Sequence, residues 1–101
     1  MERTETFPWD VVDHLVTDQD MEAYLDAAFE DGDPAVIAAA LGDVARARGM
    51  SDVAQAAGLG RASLYKALSA DGHPELATVL KVMRALGLRP SVTREPPDQA
   101  A

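Results

Sequence analysis

Arg61, Ser63, Tyr65 and Lys66 lie close together in the run RASLYK. Their side chains share one chemistry, hydrogen-bond donation, with positive charge at both ends. An Arg guanidinium can grip guanine O6 and N7 as a fork, and Ala62 is small enough to touch a thymine methyl. Ser and Tyr hydroxyls can donate to phosphate or base. A Lys ammonium on phosphate positions a protein without specifying sequence. If the run is helical, Leu64, Ala67 and Leu68 point inward. Arg61, Ala62, Ser63, Tyr65 and Lys66 are then left outside together.

Two helices must position these side chains. Residues 50–69, MSDVAQAAGLGRASLYKALS, read as a helix-turn-helix, whose second helix lies in the DNA major groove. Ser51 is the expected N-cap of the first helix. Val53, Ala54 and Ala57 form its apolar face. Gly58 stands where the chain must reverse and a positive φ costs least. Leu59 plugs the gap between the helices, and Gly60 starts the second. The same residues also fit an ordinary helical hairpin with no DNA partner. Arg46 and Arg48, ending the preceding helix, are further candidates for phosphate contact. They equally suit the negative end of a helix dipole.

A net charge of −8 is unexpected for a DNA binder, but its distribution is uneven. Residues 1–43 carry twelve acids against one Arg, whereas residues 44–89 carry seven Lys/Arg against three acids. The basic half contains the helix-turn-helix. Such asymmetry points to two surfaces for two partners, or to an acidic face that is merely solvated.

Length bounds the rest. At 101 residues one domain is expected, with a core small enough for oligomerisation to help it. The absence of Cys excludes disulfides and thiolate metal sites and is compatible with a reducing cytoplasm. No apolar run reaches the ~18 residues of a membrane span. The N-terminus lacks the basic-then-apolar pattern of a signal peptide.

Five helices are expected, an all-α architecture. Residues 1–6 read as a polar, poorly ordered start. The segment 7–16, FPWDVVDHLV, is short and sticky. Its Phe7 and Trp9 beside Asp10 and Asp13 could anchor a protein interface or cap the domain's own core. Thr17 with Asp20 forms a capping box for a helix over 18–31, with Met21, Tyr24, Leu25 and Ala28 inward. Asp33-Pro34 starts a helix running to Arg48, with Val36, Ile37, Ala40, Leu41, Val44 and Ala45 inward. Pro74 starts the last helix, 74–86, with Leu76, Val79, Leu80, Met83 and Leu86 apolar. Residues 88–94 alternate weakly, as a short C-terminal β-strand might, although Pro90 removes a donor. The domain is expected at 17–94, ahead of a disordered tail at 95–101.

These segments resemble the addiction-module antidote proteins, HigA-type antitoxins with an XRE, lambda-repressor-like helix-turn-helix. The resemblance spans about residues 7–92. Its carriers are FPWD at 7–10, His14-Leu15, DMEAYL at 20–25, GDPAVIAAALGDVARARGM at 32–50, GLGRASLYKALS at 58–69 and PELATVLKVMRALGL at 74–88. Pro90 departs from the pattern and puts the C-terminal strand in doubt. The resemblance implies a partner toxin, small and basic, of the RelE/ParE-like (HigB-type) superfamily, usually a ribosome-dependent mRNA endonuclease. It also implies a homodimer that represses its own operon, with residues 74–94 as the candidate dimer surface. On this reading the acidic half meets the toxin through residues 7–33, with Phe7, Trp9, Asp10, Asp13, Asp20 and Glu22 as candidates. The basic half meets DNA.

Two other readings remain: a stand-alone phage-type repressor, and a helical interaction module that does not bind DNA. An enzyme is disfavoured, because there is no Cys nucleophile and no Gly-rich phosphate loop. His14 and His73 are distant in sequence. Asp31-Gly32-Asp33 does not continue as a calcium loop. No cofactor or metal is expected.

Overall fold

The structure, a computed structural model, describes residues 10–96. Phe7, Trp9, the polar start and the end of the 95–101 tail lie outside these residues. A 3-10 turn, Val11–His14, leads into five helices. These are α1 (Asp18–Asp31), α2 (Pro34–Arg48), α3 (Met50–Ala57), α4 (Arg61–Ala67) and α5 (Leu76–Ala85). No strand occurs among the described residues.

The first helices begin where short polar side chains replace missing backbone partners. Asp10 caps the 3-10 turn by accepting from the Val12 N–H at 3.1 Å. At α1 the Thr17 hydroxyl accepts from the Asp20 N–H at 3.0 Å. The Asp20 carboxylate accepts in return from the N–H groups of Thr17 at 3.0 Å and Val16 at 3.1 Å. Those two backbone donors hold the Asp20 carboxyl below its ordinary value of 3.8. The cap therefore stabilises the fold fully above that value and is lost as pH falls through the lowered one. Asp33 caps α2 through the Ala35 N–H at 2.9 Å, with Pro34 at the first helical position.

One core joins all five helices and the turn before them. Leu41, Val44, Val53, Leu64 and Val82 are its largest fully buried side chains. Leu15, ahead of the boundary expected at residue 17, is buried in the same cluster, and Val11 packs against it. At Gly42, inside α2, an added Cβ would run into the Leu68 carbonyl oxygen. Helix α2 and the end of α4 thus meet backbone to backbone, which only glycine permits.

Several expectations are corrected. Ser51 lies within α3, whose N-cap is Gly49 with φ 114° and no side-chain cap bond. Val36 is 42% exposed and Ala38 takes the buried place. Val36 stands five residues before Leu41, so at about 100° per residue it faces away from it. The last helix starts at Leu76, not Pro74, because residues 72–75 are not helical. As the first residue of α5, Leu76 stays 71% exposed. Leu80 is also exposed, and Val82 is buried instead. Residues 88–94 form no β-strand: the Leu88 N–H closes on the Met83 carbonyl at the end of α5, and residues 89–94 make no backbone–backbone hydrogen bond among the described residues.

Candidate functional site

Helix α3 ends at Gly58, whose left-handed φ of 72° turns the chain. The N–H groups of Gly58 and Leu59 close on the carbonyls of Gln55 and Ala54. Leu59 packs against the core as a partly buried plug. Helix α4 then starts after the extended Gly60. It buries Leu64 completely and leaves Arg61, Ala62, Ser63, Tyr65 and Lys66 exposed. Leu68, just past its end, is buried as well. The five candidate contact residues therefore lie on the solvent side of one short helix. The Arg61 guanidinium sits over the Tyr65 ring, 5.5 Å from its centroid. Such a cation–π contact limits the freedom of an otherwise flexible Arg.

Arg46 and Arg48 are engaged differently. Arg46 donates to Asp43 Oδ1 at 2.7 Å. The other Asp43 oxygen accepts from the Tyr24 hydroxyl at 2.6 Å. Arg48 donates to Asp18 Oδ1 at 2.8 Å, linking the end of α2 to the start of α1. Both also stand in the last turn of α2, where cations suit the helix dipole. Their charges already face carboxylates of the same chain.

Burial, then the bond to Asp43, pushes the Tyr24 hydroxyl up to about 12. A raised folded value means the contribution is complete below the ordinary value of 10 and lost as pH rises through about 12. Tyr24→Phe should cost about 1 kcal/mol at neutral pH. Its deficit against the native chain should shrink between those two pH values. Urea unfolding of both chains at neutral and alkaline pH checks this; a constant deficit would refute the coupling.

The acidic candidates divide. Asp10 and Asp20 are held in caps, whereas Asp13 and Glu22 are exposed. Glu22 and Asp26 of α1 form one side of an open groove of about 740 Å³, with residues 87–91 opposite. Sequence reasoning missed this groove. Among the described residues, no group of three or more His, Asp or Glu could hold a metal ion. No described helix is long and apolar enough to cross a membrane.

A family described as "Probable addiction module antidote protein" matches residues 5–94. A Haemophilus influenzae protein, described only as uncharacterized, is 47% identical over 81 residues, covering 80% of this chain and 84% of its own. No solved structure matches.

Proposed function

This chain belongs to the probable addiction module antidote protein family, and from that premise we propose that it is a two-sided antitoxin of a type II module. Its acidic side binds and neutralises a basic RelE/ParE-like, HigB-type toxin in the cytoplasm. Its basic side binds operator DNA and represses the module's own transcription.

The observation that carries the DNA reading is the outer face of α4. Arg61, Ser63, Tyr65 and Lys66 stand exposed on it while Leu64 anchors the helix beneath them. The N-terminal residues of a recognition helix meet base edges, which assigns base reading to Arg61 and phosphate binding to Lys66. One such helix contacts few base pairs, so useful specificity calls for a dimer with half-sites ~34 Å apart. Leu76 and Leu80, apolar and exposed one turn apart on α5, are the residues we assign to the surface joining two copies. Arg46 and Arg48 remain phosphate candidates only where DNA outcompetes their carboxylate partners.

The test is to co-purify the chain with the product of the neighbouring reading frame and footprint the complex on upstream DNA. The antitoxin reading expects a stable complex and a footprint that weakens steeply with salt, as counterion release requires. A chain that captures neither partner refutes it.

A further inference from the structure

We propose that the groove between α1 and residues 87–91 is the seat for a basic, amphipathic segment of the toxin. This rests on the antitoxin reading and names the surface that serves it.

The groove is built to receive a protein segment with an apolar strip and cationic flanks. Leu25 and Met83, both in the core cluster, and the partly buried Leu88 reach it from below. Phe29 lines it while 41% exposed, an apolar cost that a bound segment would relieve. Glu22 and Asp26 stand along the same helix, spaced by four residues and so neighbours on its surface. Like charges at that spacing disfavour a helix. Neither carboxylate has an ion pair among the described residues. Asp18, one turn earlier, is by contrast matched by Arg48.

The opposite wall adds more acceptors. Residues 89–91 make no backbone–backbone hydrogen bond among the described residues, and Pro90 has no N–H to offer. Their carbonyls suit Lys or Arg donors. Arg89 is the one cation lining the groove among the described residues, set to meet an acidic residue at the segment's edge.

DNA is a poor occupant, because the two carboxylates would repel phosphate. No residue of α3 or α4 lines the groove, so toxin and DNA would be held by different elements.

The experiment measures binding of the neighbouring reading frame's product to the full chain and four variants. Glu22→Lys with Asp26→Lys should weaken binding at least about 10-fold, as reversed charges at an interface do. Phe29→Ala should weaken it about 10-fold. Asp52→Lys with Asp71→Lys changes charge equally, at exposed positions away from the groove, and should leave affinity within about twofold. Glu22→Gln with Asp26→Asn keeps size and should fold even where the Lys variant does not, and it should also bind more weakly. If the native chain binds and the groove variants match the Asp52/Asp71 control, the groove assignment is overturned while the antitoxin reading stands. If the native chain does not bind that product, the reading beneath it fails.

Discussion

Replacing Arg61 and Lys66 together with Ala is expected to abolish the footprint of this chain on its upstream DNA and leave toxin binding intact. Both side chains are exposed on α4, so neither substitution opens the core. A lost guanine fork costs about 1–3 kcal/mol and relaxes the preference at one base pair. On a two-fold operator the loss occurs in each half-site, which lowers affinity by roughly 30-fold to 10⁴-fold. The Lys66 part differs in kind. It should weaken all sequences alike and reduce the salt slope by about one per site. Measuring each single variant against salt and operator sequence separates the two roles. Tyr65→Phe keeps the ring under the Arg61 guanidinium and should retain base preference, whereas Tyr65→Ala should not. Normal footprints from both Arg61→Ala and Lys66→Ala would place the DNA face elsewhere.

The helices were legible because their ends are written in local side chains. Thr17 with Asp20, and Asp33 with Pro34, act within four residues of themselves, and each caps as read. Gly58 was legible for the same reason, since a reversal needs a left-handed φ at that point. Ser51 misled because Gly49 takes the cap position through its own backbone, with φ 114° and no side-chain signal. The alternation at 88–94 misled for another reason. A strand is defined by its partner, and an alternating sequence does not say whether one exists. The exposed face of α4 needed only helical spacing around Leu64, and it lies where that spacing put it.

What the sequence concealed depends on distant contacts. Asp43 joins Tyr24, nineteen residues away, to Arg46, and it engages a cation that spacing alone left open for phosphate. Arg48 meets Asp18 across thirty residues. The groove exists only because α1 stands beside the segment leaving α5. The division of charge between the halves was visible at once, but which acids face a cation required the fold. Asp18 and Asp43 are paired, while Glu22 and Asp26 carry no ion pair among the described residues.

Gly42→Ala is the substitution on which local propensity and packing disagree in sign. Within a helix such as α2, Ala is favoured over Gly by about 1 kcal/mol, so propensity alone predicts a more stable protein. The structure predicts the reverse. The new Cβ would run into the Leu68 carbonyl oxygen, and a backbone atom cannot rotate away as a side chain would. Overpacking of this kind costs about 1–3 kcal/mol, and forcing α4 off α2 also disturbs Leu64 and Leu68 in the core. A net loss of about 2 kcal/mol would lower the melting temperature of a domain this size by roughly 10 °C. It would also tilt the face that carries Arg61, so DNA affinity should fall even where the domain remains folded. Gly58 supplies the contrast. An added Cβ there meets nothing within 4 Å, and the cost is the positive φ alone. Asn, which tolerates that conformation, should be accepted at Gly58 and rejected at Gly42. Thermal unfolding of Gly42→Ala, Gly42→Asn and Gly58→Asn decides the matter. If Gly42→Ala melts at or above the native chain, α2 and α4 do not meet at this point.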